Sequence, residues 1–243
     1  MYESIRIAES IVGNYGTFCI FRLQFESMKL TDTQLQQLAA QLRCPDGDGG
    51  LKVAEMMTAT NANIINKTID SLQLTTGDTI LEIGPGNASH LKDILALADS
   101  LTYTGIDISE AMITEAQNIN KQFTNASFTL TDGNSIPFGE SQFSKILTAN
   151  TIYFWEHPQE YANEIARVLQ PGGLASIAFI PKSTMQHIPF AKFGFTLYDI
   201  ETVEKLLQNA KLRVNISLSD SEFVISNSGE QIKREFAIIT AQK

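Results

Sequence analysis

The residues of this chain best placed to do chemistry are three carboxylates, each in or just past a short apolar run. Glu82 stands in Ile80-Leu81-Glu82-Ile83-Gly84-Pro85-Gly86-Asn87-Ala88, Asp107 in Tyr103-Thr104-Gly105-Ile106-Asp107-Ile108-Ser109, and Asp132 in Phe128-Thr129-Leu130-Thr131-Asp132-Gly133. Gly84 and Gly86 let the backbone turn sharply and leave it bare, so a ligand can approach the main chain. Asp107, 25 positions after Glu82, can accept both vicinal hydroxyls of a ribose. Asp132 can accept from an adenine amino group while the Gly133 amide donates to a ring nitrogen. Together the set is suited to an adenosine-type nucleoside. Each piece also has a plainer reading: a ligand-free tight turn for the glycines, a helix cap for Asp107 and an ordinary Asp-Gly turn for Asp132.

These groups need elements to bring them together. The apolar run at 79–83 reads as a central parallel strand, followed by a helix over 88–95 whose N-terminus faces the glycine turn. A second strand ends at Asp107, and Ser109 caps a helix over 110–120. A third strand ends just before Asp132, and a fourth covers 145–149. A helix over 158–169 stops at Pro171-Gly172-Gly173, with a fifth strand over 174–180, a helix over 199–209 and closing strands near 212–218 and 235–241. Strands alternating with helices predict an α/β fold with a mostly parallel sheet, a Rossmann-like seven-stranded arrangement with an antiparallel edge strand. Ligands of such sheets bind outside the carboxyl ends of the strands, so the three carboxylates should converge there. Upstream, 31–43 reads as a polar helix and 51–72 as one or two amphipathic cap helices, with Asp46-Gly47-Asp48-Gly49-Gly50 as a flexible connector.

The chain resembles the class I S-adenosylmethionine-dependent methyltransferases, in the small-molecule branch that includes ubiquinone/menaquinone C-methyltransferases. The resemblance runs from Ile80 onward and rests on Leu81-Glu82-Ile83-Gly84-Pro85-Gly86, Gly105-Ile106-Asp107-Ile108-Ser109, Asp132-Gly133 with Ile136-Pro137-Phe138, and Arg167-Val168-Leu169-Gln170-Pro171-Gly172-Gly173. It implies S-adenosylmethionine as cofactor, held by Glu82, Gly84, Pro85, Gly86, Asp107, Ile108, Asp132, Gly133 and Asn150. Glu82 would organise the glycine loop and draw the cationic end of the cofactor, and Asn150 would offer its backbone carbonyl to the cofactor amino group. Two positions depart from the pattern: Ala88 stands where many members carry a third glycine, and Ser144 where an Asp is usual.

On the acceptor side, Tyr153-Phe154-Trp155 follows strand four, where a methyl acceptor must approach, and 181–198 forms a long insertion that includes Phe190 and Phe193. Trp155, Phe190 and Phe193 are the expected substrate contacts, packing the next helix being the plainer role for Phe154 and Trp155. The insertion reads as a lid. Asn61 and Asn63 are candidate lid residues near the methyl donor, exposed helix polarity being the alternative. The expected reaction is direct displacement onto a small organic acceptor, with Tyr153 and His157 as candidate general bases and His187 behind them. A non-catalytic S-adenosylmethionine-binding protein is the alternative. A nicotinamide-dependent oxidoreductase also shares the fold. However, the third glycine of the dinucleotide fingerprint is missing, and Glu82 suits a sulfonium better than a pyrophosphate.

A net charge of −9 and the absence of a basic run argue against nucleic acid as acceptor. Cys19 and Cys44 lie far apart with no metal-ligand neighbourhood, so neither a disulfide framework nor a metal site is expected, and a cytoplasmic setting is the default. His90, His157 and His187 are scattered and expected on the surface or in loops. No apolar run is long enough for a membrane span. Residues 1–27 are expected to be an extension of uncertain status, with 28–243 a single methyltransferase domain and 28–74 its helical cap. Acceptor identity and oligomeric state are not legible.

Overall fold

Strand β1 (Thr79–Ile83) is apolar on both faces apart from Thr79 at its start and Glu82, as befits a strand covered by helices on each side. It lies at the centre of a seven-stranded sheet of order β3-β2-β1-β4-β5-β7-β6, with β2 at Thr102–Asp107, β3 at Ala126–Leu130, β4 at Phe143–Ala149, β5 at Leu169–Phe179, β6 at Arg213–Ile225 and β7 at Gln231–Gln242. The first five strands are parallel, and β7 runs antiparallel to both β5 and β6. This α/β architecture is the one anticipated. Strand order reverses between β1 and β4, which opens a crevice at their carboxyl ends. The computed structural model describes residues 30–225 and 231–243, so the expectation about residues 1–27 lies outside the described residues.

Two apolar layers sandwich the sheet. On one face Leu81, Ile83 and Ile146 pack against α5 (Pro158–Val168) and α7 (Ile200–Asn209) through Ile165, Val203 and Leu207. On the other, Ile80 and Tyr103 meet α2 (Gly47–Ser71), α3 (Leu91–Leu95) and α4 (Glu110–Ile119) through Ile69, Leu91 and Ala116. Helix α1 (Asp32–Arg43) precedes them, opened by a reciprocal capping box between Thr31 and Gln34. Among the described residues no helix is long and apolar enough to cross a membrane.

Several boundaries differ from the sequence reading, each for a local reason. Asp46 to Gly50 is no flexible connector: Asp46 is the N-cap of α2, which continues unbroken as one helix to Ser71. A Cβ at Gly50 would stand 2.6 Å from Gln41 Oε1 and 2.8 Å from the Pro45 carbonyl carbon, so glycine there permits a tight α1–α2 corner. Helix α3 starts at Leu91 rather than at 88, because Ala88 adopts a left-handed φ of 49° and breaks the run. Strand β5 begins at Leu169, five residues before the expected start, across an irregularity in its pairing with β4. Strands β6 and β7 are much longer than the expected closing pair and form a hairpin whose outer half reaches over α2. Ser144, one of the two departures from the family pattern, donates to Asp78 Oδ1 at 2.7 Å and accepts from the Thr79 N–H at 3.0 Å, which ties β4 to the start of β1.

Candidate active site

A cavity of about 1430 Å³ opens at the carboxyl ends of β1, β2 and β4. Its inner arm is bordered by Gly84, Pro85, Gly86, Asp107, Ile108 and Gly133, its outer arm by Met57, Asn61, Phe154, Ile188, Phe190 and Arg234. Asp132, Asn150, Tyr153 and Trp155 border it as well. Most of the expected cofactor set is therefore brought together.

The glycine turn is built by close approach. Gly84 has φ of 71°, its N–H donates to the Ile106 carbonyl at 2.8 Å, and a Cβ there would stand 2.4 Å from Thr151 Cγ2. Thr151 was not singled out from sequence, yet its contact makes glycine obligatory at 84. Gly86 also has positive φ, 59°, and a Cβ on it would meet only Met112 Sδ at 4.0 Å, so it would stand in open space beside the cavity.

Asp107 is buried and organises this turn. Its Oδ2 accepts from the Gly86 N–H at 3.2 Å and its Oδ1 from the Ser109 N–H at 2.9 Å. Burial pushes its carboxyl up to about 6, against the Ser109, Gly86 and Ile108 backbone N–H groups that hold it down, and the Glu82 charge adds to the rise. A carboxylate has about four acceptor sites, so these backbone donors do not exhaust it and leave capacity for a ribose hydroxyl. Ser109 accepts from the Met112 N–H at 3.1 Å as N-cap of α4 and donates to the Pro45 carbonyl at 2.5 Å, which fastens the cap to the turn. The bare turn and the spare acceptor sites on Asp107 fit an adenosine cofactor of this class.

Glu82 is not where sequence reasoning put it. Its side chain points to the α2–α3 face, away from the cavity, and both its oxygens lie within 3.0 Å of His90 Nε2 while Oε2 accepts from the Tyr103 hydroxyl at 2.6 Å. Its carboxylate is engaged beneath the loop, and Glu82 does not border the cavity. His90, expected on the surface or in a loop, lies in the turn before α3 but is enclosed: burial disfavours its charge, yet the Glu82 carboxylate outweighs this by attraction and hydrogen bond, so its pKa is raised. Asp132 is exposed at the cavity rim and forms an Asx turn, accepting from the Asn134 and Ser135 N–H groups at 2.9 and 3.2 Å, which hold its carboxyl below the usual range. Its plainer turn role and its place at the rim coexist.

The expected bases fare differently. The Tyr153 hydroxyl accepts from the Ile180 N–H at 2.5 Å and donates to Asn150 Oδ1 at 3.0 Å, and burial drives its pKa far up, the Ile180 bond and the Arg234 charge offsetting only part. Tyr153 borders the cavity, but its hydroxyl is held between the Ile180 N–H and the Asn150 side chain, an arrangement that suits a scaffold rather than a base. His157 is exposed at the N-cap of α5 and does not border the cavity; Phe193 also lies outside it, under the Lys192 ammonium at 5.0 Å. Both are removed from the candidate site by this placement. His187 is exposed on the lid at the cavity mouth. Asn63 is diverted to Glu222, whereas Asn61 borders the cavity. Tyr153→Phe should leave the Ile180 N–H without its acceptor and cost about 1–3 kcal/mol of stability. Denaturant unfolding measures that loss; a bell-shaped rate profile that loses one limb in the variant would instead restore Tyr153 to the chemistry.

The lid is ordered rather than a plain loop. It carries α6 (Lys182–Met185) and a 3-10 turn (Pro189–Lys192), and the Lys182 N–H donates to the Tyr198 carbonyl at 2.7 Å, which closes its base. Phe195 stacks edge-on against Phe154 at 4.7 Å and lies 5.6 Å from Phe190, so the lid packs on the aromatic run after β4. Lys192 also pairs with Asp32 of α1 at 2.8 Å. Trp155 is buried against Tyr161 at 4.9 Å.

The strand order, the glycine turn and the acidic end of β2 define a class I S-adenosylmethionine-dependent methyltransferase. A family profile described as "Methyltransferase domain" matches residues 81–177. The chain is 31% identical over 129 residues to the methyltransferase YdaC of Bacillus subtilis, covering 52% of this chain and 70% of that protein. It is 33% identical over 102 residues to demethylmenaquinone methyltransferase of Tropheryma whipplei, covering 42% of this chain and 41% of that protein, so it spans less than half of that relative's length. Among solved structures, the methyltransferase in complex with the Trm112 methyltransferase activator of Haloferax volcanii superposes with a TM-score of 0.68 at 16% identity, over 78% of this chain and 92% of that one. The chain belongs to this methyltransferase family.

Proposed function

We propose that this methyltransferase acts on a small, largely apolar organic acceptor, and that Asp107, Gly84, Pro85, Gly86, Ile108, Asp132, Gly133 and Asn150 hold S-adenosylmethionine in the inner arm of the cavity. One observation carries the reading: a single cavity is lined both by the glycine turn with Asp107 and by largely apolar side chains of α2, the aromatic run after β4 and the lid, with the hairpin beside them. When bound, the cofactor supplies a methyl group already activated on a sulfonium. Asp107 then fixes the ribose, and the turn at 84–86 offers its backbone to the amino-acid portion. Phe154, Phe190 and Phe195 exclude water and align the acceptor, and alignment is the main contribution a protein makes to such a transfer. With the Tyr153 hydroxyl committed to the backbone and His157 outside, the acceptor enters already nucleophilic. The −9 charge supports an acceptor other than nucleic acid.

Calorimetric titration of the purified protein with S-adenosylmethionine, S-adenosylhomocysteine and NAD tests the cofactor half. Saturable binding of the two sulfur compounds without NAD is the expected result; NAD binding alone would overturn it. A methyl-transfer screen across quinone precursors, phenols and small amines then tests the acceptor half.

A further inference from the structure

The outer arm ends in a polar group that the reading above does not use. Arg234 on the overhanging half of β7 faces Glu222 across the ladder, and their side chains are 12% and 10% exposed. Arg234 Nε donates to Glu222 Oε1 at 3.0 Å, Nη2 donates to the same oxygen and to the Thr60 carbonyl at 2.9 Å, and Nη1 donates to Asn61 Oδ1 at 3.2 Å. Glu222 Oε2 is taken by Asn63 Nδ2 at 2.8 Å. A guanidinium carries five N–H groups, so one Nη1 hydrogen is left over; it and Asn61 Nδ2 have no partner among the described residues. Arg234 and Asn61 both border the cavity. Lys233 and Glu235, the flanking charges of opposite sign, are exposed and also border the cavity, whereas Arg234 between them is enclosed.

A cation this enclosed is kept for hydrogen-bond geometry more than for net stability, because its desolvation cancels much of its attraction to Glu222. What it presents to the apolar arm is a pair of directional donors. We infer that the methyl acceptor is an apolar molecule carrying an anionic oxygen, a carboxylate, phenolate or enolate, which docks on Arg234 Nη1 and Asn61 Nδ2 while its apolar body lies against Met57, Ile188 and Phe190. This inference rests on the methyltransferase reading. It also accounts for a site without a placed base: donors that hold the acceptor in its ionised form make proton removal by a side chain unnecessary.

The test is a binding series on protein saturated with S-adenosylhomocysteine, at pH 8, using decanoate, 1-decanol and decyltrimethylammonium as probes. Charge-assisted hydrogen bonds of about 1.5–3 kcal/mol predict decanoate binding roughly tenfold or more tighter than 1-decanol. Arg234→Met alone would strand Glu222 and endanger folding, so the pair is removed together as Arg234→Met/Glu222→Met. The preference should vanish in that variant and shrink several-fold in Asn61→Ala, with S-adenosylhomocysteine affinity unchanged in both. Equal binding of decanoate and 1-decanol, tighter binding of the cation, no binding of any probe, or a preference that survives the double variant each overturns the inference. Normal S-adenosylhomocysteine binding beside such a result confines the failure to the docking site. Failure to bind S-adenosylhomocysteine, with the decanoate preference intact when the series is repeated on the protein alone, sinks the cofactor reading and leaves an anion site.

Discussion

Asp107→Asn is expected to weaken S-adenosylhomocysteine binding by about 100-fold or more. Two charge-assisted hydrogen bonds to the ribose at about 1.5–3 kcal/mol each set that scale. The substitution also turns an amide N–H toward the Gly86 or Ser109 N–H, both of which now donate to the carboxylate. A pH signature separates the ribose role from mere loss of packing. Burial lifts the Asp107 carboxyl to about 6, and only its ionised form accepts from both ribose hydroxyls. Affinity in the parent should therefore hold steady above pH 6 and fall by about tenfold per unit below it, while the variant stays flat. Calorimetry from pH 5 to 8 reads both; a parent titration with no break near 6 would remove Asp107 from the ribose.

The second large effect lies under the glycine turn. Glu82→Ala leaves His90 and Tyr103 enclosed without their common acceptor, a loss of about 3–5 kcal/mol. For a chain of this size that lowers Tm by roughly 6–20 °C. The pH dependence has a definite sign. The His90 pKa is raised in the folded protein, so its contribution is fully present below the unfolded value of about 6.5 and is lost as pH rises through the higher folded value. Parent Tm should decline on that alkaline side, and His90→Gln should flatten the decline. A Glu82→Ala protein that melts like the parent but fails to bind cofactor would return Glu82 to direct ligand contact.

What could be read from sequence was chemistry held within one turn of chain. Gly84, Gly86 and the Ser109 cap follow from local backbone demands, and Asp107 from its place at a strand end. The misreadings share another physical origin. His90 became a buried partner because the helix after the turn starts three residues late, leaving its ring free to swing under β1. Nothing near Tyr153 in sequence announces that Ile180, 27 positions on, would claim its hydroxyl. The outer half of the hairpin lies beyond the expected closing strands, where Asp220, Glu222, Lys233 and Arg234 interrupt the apolar alternation; the partners of Asp220, Glu222 and Arg234, which are Lys67, Asn61 and Asn63, lie on α2.

That hairpin divides the molecule by chain position as well as by space. The turn, Asp107, Gly133 and Asn150 lie within one stretch of alternating strands and helices, whereas the outer arm is assembled from α2 before it and from Phe154, the lid and β7 after them. Strand β7 inserts between β5 and β6, so the outer arm depends on pairings between distant parts of the chain, the slow kind to establish during folding. The inner arm rests instead on the β1–β2 and β1–β4 pairings, the second of which joins residues just as far apart in the chain. Substitutions at Asn61, Phe190 or Arg234 sit apart from the glycine turn, and effects at separated sites add nearly independently. Such a chain is built to be retargeted: its outer arm can drift toward new molecules while the inner one stands still.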